Sequence, residues 1–220
     1  MARVARIALP DIPYHVTQRG NRRQPVFFRG DDYRTYLAFL QEESRRWQLA
    51  IWAYCLMTNH VHLVVWPITE QSLSRAIAET HRRYTRYVNF REGWRGYLWQ
   101  GRFGSAPLDD HHLTAAMRYV ERNPVEAKLV ERASDYPWSS ARAHALHLPD
   151  PLLSPCFLTD QIPNWEDFLA TPEEPTTTQR LEVQVRTGRP YGTTTFLEQL
   201  EQRVGYRLRR LPVGRKPQRK

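Results

Sequence analysis

Residues 49–66 restrict the fold of this chain more than any other stretch. Residues 49–57 are apolar and partly β-branched or aromatic, Thr58-Asn59 can turn the chain, and residues 60–66 continue the pattern until Pro67 ends it. Two antiparallel strands joined as a hairpin are predicted. Because side chains alternate across a strand, His60 and His62 fall on one face, beside each other across the pleat. Two imidazoles held that way can share one metal ion. The same triplet also suits a strand that merely carries two packed or solvated histidines, so a metal reading needs a partner elsewhere.

That partner is sought at Tyr119-Val120-Glu121-Arg122-Asn123, where helical spacing sets a phenol and a carboxamide one turn apart on the same side. The helix is predicted over residues 110–123, with Leu113, Ala116, Met117 and Val120 as its buried stripe and His112, Tyr119 and Asn123 together on one flank. Pro124 disfavours helical geometry at the residue before it. The helix is therefore expected to stop there and leave the Asn123 carboxamide near an open end. Taken alone, Tyr119 would read as an ordinary half-buried tyrosine.

Pro10 and Pro13 bracket an extended entry to a first strand over residues 12–19 with Tyr14 and Val16 inward, and Arg19-Gly20-Asn21-Arg22-Arg23 reads as a donor-rich turn. His15, standing alone on that strand, reads as a hydrogen-bonded structural histidine rather than a third ligand. Asp31-Asp32 supplies an N-cap for a helix reaching Trp47, with Tyr33, Tyr36, Leu37 and Leu40 as core. A second helix over residues 72–90 turns Leu73, Ile77, Tyr84 and Val88 inward and exposes His81, Arg82, Arg83 and Arg86, a charged face that serves solubility or forms a wall for DNA. Between Gly93 and Gly104 the aromatics Trp94, Tyr97, Trp99 and Phe103 interleave with Arg95 and Arg102. They either stack on unpaired bases or line a fourth strand that fills the sheet.

Beyond Pro124, Tyr136-Pro137-Trp138-Ser139-Ser140 is expected to cap a short helix through His144 and His147. Residues 160–182 hold six acids, one arginine and three prolines and read as a poorly packed linker. Phe196, Leu197, Leu200 and Val204 suggest a small amphipathic helix ended by Gly205. The chain thus divides into a folded block over residues 1–147, an acidic, proline-rich linker over 148–187, and a basic helix and tail over 188–220.

Charge points to the partner. The formal net charge is +9, yet residues 201–220 hold eight basic side chains against one acidic, and residues 1–30 hold six against one. Positive charge gathered at both ends suits a chain that grips a polyanion while its middle folds round a site, although a solvated basic tail has the same composition. Arginine dominates, and guanidinium groups bind phosphate bidentately and stack on bases, which favours nucleic acid. The two cysteines, Cys55 and Cys156, build neither a disulfide framework nor a thiolate zinc site. No apolar run approaches the roughly 20 residues of a membrane span, and residues 1–6 lack a signal-like apolar core. A soluble protein of a reducing, cytosolic compartment is expected.

The order strand, helix, strand, strand, helix, strand, helix predicts an α+β fold, a ferredoxin-like antiparallel sheet flanked by helices. Met57-Thr58-Asn59-His60-Val61-His62 followed by Tyr119-Val120-Glu121-Arg122-Asn123-Pro124 resembles the single-tyrosine HUH transposases, and among them the REP-associated tyrosine transposases. The resemblance covers residues 10–145. Trp99-Gln100-Gly101-Arg102-Phe103 and residues 188–208 are similar to that group as well. It implies that His60 and His62 bind a metal, that Tyr119 is the nucleophile, and that Asn123, where larger-element relatives often carry Gln, completes the metal site. It further implies Mg²⁺ or Mn²⁺ as cofactor and, as partner, single-stranded DNA bearing a palindromic hairpin flanked by a short recognised tetranucleotide. A monomer is implied over a dimer that exchanges helices.

The chemistry holds without the family. A divalent ion on His60, His62 and Asn123 would polarise a scissile phosphate, and Tyr119 could then attack phosphorus to give a 5′-phosphotyrosine. A phenol, with a pKa of about 10, leaves more readily than a sugar hydroxyl, so an incoming 3′-hydroxyl can reverse the step. Arg19, Arg22, Arg23, Trp99 and Arg102 are expected to hold the single-stranded flank, and Arg209, Arg210, Arg215 and Lys216 the hairpin phosphates. Two other readings use the same residues: a metal-dependent nuclease in which a histidine activates water, and a non-catalytic hairpin-binding regulator.

Overall fold

In the computed structural model, residues 7–209 are described. Strands β1 (Tyr14–Arg19), β2 (Leu49–Met57), β3 (His60–Pro67) and β4 (Gly104–Pro107) form one sheet in the order β2-β3-β1-β4. Every neighbouring pair is antiparallel. Helices α1 (Gly30–Arg46) and α2 (Ser72–Glu92) make the crossovers from β1 to β2 and from β3 to β4. This is the ferredoxin-like arrangement expected from the sequence.

Period-two alternation divides the sheet between two cores. Tyr14, Val16, Val61, Leu63 and Val65 face α1 and α2, where they pack with Tyr36, Leu40, Ile77 and Tyr84. Val64, Ala53 and Cys55 face the other way, toward Leu113, Met117 and Val120 of α3 (Asp110–Glu126). A register shift between Ile51 and Ala53 sends the adjacent residues Trp52 and Ala53 to that second face. The odd positions of β1 and the even positions of β3 are thus turned to α3, and these include His15, His60 and His62.

The structure revises several expectations. Helix α1 begins at Gly30, so Asp31 and Asp32 lie in its first turn. Asp32 caps from inside, accepting the backbone N–H of Phe28 at 2.8 Å and of Arg29 at 3.2 Å. Helix α3 continues past Pro124 to Glu126. Proline is tolerated in this last turn, where its missing amide leaves only the Val120 carbonyl without its helical donor, and the terminal carbonyls of Asn123 and Pro124 accept from Ala127 and Leu129 at 3.0 and 2.9 Å. The fourth strand is not residues 94–103 but the short β4 that follows them. Trp99 and Phe103 are buried among Tyr36, His81 and Tyr84.

Residues 148–187 are not a loose linker. Helices α5 (Phe157–Gln161), α6 (Trp165–Ala170) and α7 (Pro175–Thr187) follow the short α4 (Ala141–Ala145) and bury Trp165, Leu169 and Leu181 in the second core. Helix α7 seats against β4 at Gly104, where a β-carbon would come within 2.5 Å of the Val185 carbonyl oxygen. Only glycine permits that approach. The expected last helix is α8 (Thr194–Val204), ended by Gly205 in the left-handed region with φ 76°, and Leu200 and Leu208 bury it against the first core. Among the described residues no helix is long and apolar enough to cross a membrane.

Candidate active site

The inner face of β1 and β3 meets one flank of α3, and four of the residues singled out by sequence come together there. The rings of His60 and His62 lie 4.9 Å apart, centroid to centroid, and His62 lies 5.4 Å from Tyr119 in an edge-on contact. The Asn123 carboxamide donates to the Tyr119 carbonyl at 3.2 Å and also engages the side chains of His60 and Tyr119. His112, expected on the same flank, points elsewhere: it sits 2.5 Å from the Asp109 carboxylate and packs on Tyr191.

Hydrogen bonds fix the state of His60. Asn59 Nδ2 donates to the Arg23 carbonyl at 3.0 Å, so its Oδ1 is turned to His60 Nδ1 at 2.7 Å. An amide oxygen can only accept. His60 therefore carries its proton on Nδ1 and keeps a lone pair on Nε2. His62 Nδ1 is also taken, by His15 Nε2 at 3.0 Å, which leaves Nε2 as its free nitrogen. Burial pushes His15 down to about 3 and, with the nearby charge of Arg19, His60 down to about 4, against the effect of Asn123. Burial likewise holds His62 well below the ordinary imidazole range. All three are neutral at physiological pH, as metal-binding imidazoles must be.

The donor set therefore fits a divalent cation: two neutral imidazoles, each with its other nitrogen held by a second partner, and an amide oxygen one helical turn from the phenol. Among the described residues no group of three His, Cys, Asp or Glu side chains is placed to hold a metal. The third candidate ligand here is an asparagine, outside those four types.

Tyr119 is 8% exposed, and its hydroxyl donates to Glu182 Oε1 of α7 at 3.3 Å. Burial and the Glu182 charge push its pKa up, against the Asn123 bond, so the phenol is protonated at rest. Beside it opens a groove of about 480 Å³ lined by Arg122, Glu173, Pro175, Gln179 and Glu182. Helix α3 is pinned from behind by Glu121, which is fully buried. Its carboxylate accepts from His144 Nδ1 at 2.7 Å, Trp165 Nε1 at 2.6 Å and the Ser140 hydroxyl.

Arg19 pairs in register with His60 across β1 and β3, and its charge reaches His60, His62 and Tyr119. Arg22, Arg23 and Arg102 are exposed near the same end of β1, where Gly20 bridges to Trp99 and Gln100 donates to the Arg19 carbonyl. None of these four arginines has an acidic partner among the described residues.

Other sequence expectations are corrected. Trp99 is 6% exposed and fills the core instead of offering a face to a base. The rings left outside are Trp94 at 49% and Tyr97 at 89%. Arg209 is paired with Glu198 and Glu201 at 3.0 and 2.7 Å. Arg210, Arg215 and Lys216 lie outside the described residues. On α2, His81 is buried against the Tyr36 hydroxyl, Arg82 pairs with Glu79, and Arg83 pairs with Glu42 and Glu43. Of that expected positive face only Arg86 stays unpaired among the described residues.

Sequence reasoning missed Asn59, Glu121 and Glu182 as supports of the site. Asn59 adjoins His60 and Glu121 lies inside the tyrosine motif, so both carried a local signal. Glu182 carried none.

The sequence profile of the family described as "Transposase IS200 like" matches residues 8–123. No curated protein matches the chain. Among solved structures, a REP-associated tyrosine transposase bound to a REP hairpin is similar with a TM-score of 0.57 at 20% identity, over 71% of this chain and 93% of that one. A protein of Deinococcus radiodurans R1 provisionally described as a transposase overlaps 55% of this chain and 97% of its own at 18% identity, with a TM-score of 0.37.

Proposed function

The chain belongs to the family of IS200-like transposases, and from that premise we propose that it cuts and rejoins single-stranded DNA carrying a folded palindromic hairpin, through a 5′-phosphotyrosine formed on Tyr119. The observation that carries this reading is the meeting of His60, His62, Tyr119 and Asn123, from one strand and one helix, in a single cluster. The similar fold of a transposase bound to a REP hairpin supports a hairpin as the DNA element.

In the forward step the Tyr119 oxygen bonds to phosphorus, the bond from phosphorus to the 3′-oxygen breaks, and that oxygen leaves as a 3′-hydroxyl while the phenol gives up its proton. Mg²⁺ or Mn²⁺ held by His60, His62 and Asn123 would supply Lewis-acid polarisation of the scissile phosphate. Arg19, beside His60, sets a fixed positive charge against the phosphate oxygens. Glu182 holds the resting phenol protonated, so the nucleophile is loaded only as the attack proceeds. A later 3′-hydroxyl reverses the sequence, because a phenolate is the better leaving group.

We place the unpaired flank on Arg22, Arg23 and Arg102 by phosphate contacts, and the exposed rings of Trp94 and Tyr97 are offered for base stacking. One chain is able to bring the four residues together without exchanging helices with a second copy, and action as a monomer is part of this proposal. The test is incubation with 3′-labelled single-stranded repeat DNA and Mn²⁺, followed by denaturing electrophoresis. A labelled band at the mass of protein plus DNA is expected, and cutting with no such band would favour a water-activating nuclease.

A further inference from the structure

His15 is fully buried and belongs to no role assigned above. Its Nε2 meets His62 Nδ1 at 3.0 Å, and its Nδ1 has no hydrogen-bond partner among the described residues. The two rings are nearly parallel, 21° apart with centroids at 5.3 Å, and His15 also meets the edge of Tyr119 at 5.6 Å. A buried polar atom without a partner calls for an explanation, since phenylalanine or leucine would fill the same space at lower cost. The explanation is sought at the nitrogen that does have a partner.

Two neutral imidazoles in an N–H···N contact share one proton, and its position decides what His62 can do. If the proton sits on His15, then His62 is protonated at Nε2 and has no lone pair to offer the site. If it sits on His62 Nδ1, then Nε2 is a free donor, and His15 must carry its own proton on the unpartnered Nδ1. The same rule, applied through Asn59, makes His60 a free donor at Nε2. Both ring planes are set from the sheet side: His60 by the turn before β3, and His62 by the neighbouring strand.

We propose that His15 is a positioning residue for the metal site, which accepts the Nδ1 proton of His62 and so holds that ring as the tautomer whose Nε2 faces the cation. The inference rests on the strand-transfer reading and deepens it. Its cost is visible in the structure as the orphaned Nδ1 of His15. A carboxylate or carbonyl usually takes this supporting role for a ligating histidine, and its loss typically lowers metal affinity 10–100-fold.

The experiment has two arms. In the first, ¹⁵N spectra of histidine-labelled wild-type protein with saturating Mg²⁺ are expected to show His62 protonated at Nδ1 and bare at Nε2. An Nε2-protonated His62 in the Mg²⁺ form overturns the proposal and needs no variant. In the second arm, Mn²⁺ affinity is measured by electron paramagnetic resonance for wild type, H15F and H15Q. A loss on the order of 10–100-fold is expected for H15F, with H15Q, which restores an acceptor oxygen, recovering most of it. Equal affinity in wild type and H15F, or equal loss in both variants, overturns it. Wild-type protein that binds no Mn²⁺ sinks the strand-transfer reading as well, whereas wild-type binding with H15F unchanged sinks this inference alone.

Discussion

Replacing Tyr119 with phenylalanine separates the chemistry of the site from its architecture. The hydroxyl donates to Glu182 at 3.3 Å and also meets the Asn123 side chain, while the ring keeps its edge contacts to His15 and His62 whether or not the oxygen is present. Loss of one such bond costs about 1 kcal/mol or less. In a chain of this size that corresponds to about 2–4 °C in Tm. Hairpin binding should be unchanged, because the arginines around β1 and the metal ligands are untouched. Covalent capture should vanish, since no atom remains to bond to phosphorus, and single-turnover cleavage should fall at least about 10⁴-fold, to the level left when a nucleophile is removed. The assay is denaturing electrophoresis of 3′-labelled hairpin DNA beside a mobility shift on the same preparation. Y119F protein that cuts near the wild-type rate refutes the nucleophile assignment. A melting temperature lowered by more than about 10 °C, well beyond what one such bond accounts for, would show that the oxygen had a structural role the geometry does not account for.

Three further outcomes follow. N123A should weaken Mn²⁺ binding about 10–100-fold while leaving hairpin affinity in EDTA unaltered, as read by electron paramagnetic resonance and mobility shift; unchanged metal affinity removes Asn123 from the ligand set. Burial alone would lower the pKa of His144, but the charge and hydrogen bond of Glu121 outweigh it and raise it above 6.5. The stability it contributes is therefore complete below pH 6.5 and lost as pH rises through the raised value. E121Q should lower stability by about 3 kcal/mol and abolish that downward trend in Tm between pH 6 and 9, and a parallel pH profile in both proteins would refute the pairing. Deleting residues 210–220, which hold five basic side chains, should flatten the slope of log affinity against log salt by about 0.7–0.9 for each phosphate the tail would otherwise neutralise. An unchanged slope takes the tail out of hairpin binding.

The sheet and its two crossover helices were legible because each carries its own period. The hairpin of β2 and β3 ends at Met57 and begins again at His60, where Thr58-Asn59 breaks an alternation otherwise kept on both sides. What failed lacked a period or depended on distant chain. Helices α5 and α6, with bounds Phe157–Gln161 and Trp165–Ala170, are too short to show a stripe, and their acids look like linker composition. They fold because the second face of the sheet needs a cover, and Trp165 reaches Glu121 to help supply it. Trp99 was ambiguous for a related reason. Aromatics among glycines and arginines suit stacked bases and a packed core equally well, and only the neighbours Tyr36 and His81 decide the matter.

The same division runs through the site. His60, His62, Tyr119 and Asn123 were readable because each pair lies within one element, where spacing alone fixes the face. The residues that orient them were not, because strand order and register are global properties. Parity puts His15 on the same face as His62, but only the adjacency of β1 and β3, with Thr17 opposite His62, makes them diagonal neighbours close enough to bond. Glu182 reaches Tyr119 only because Gly104 lets α7 lie against β4. The four residues of the proposed active cluster can thus be read from two short motifs, whereas those that hold their rings emerge only when the whole sheet is assembled. A variant library confined to the motifs would find the loss of chemistry at Tyr119 and miss the control of metal binding at His15.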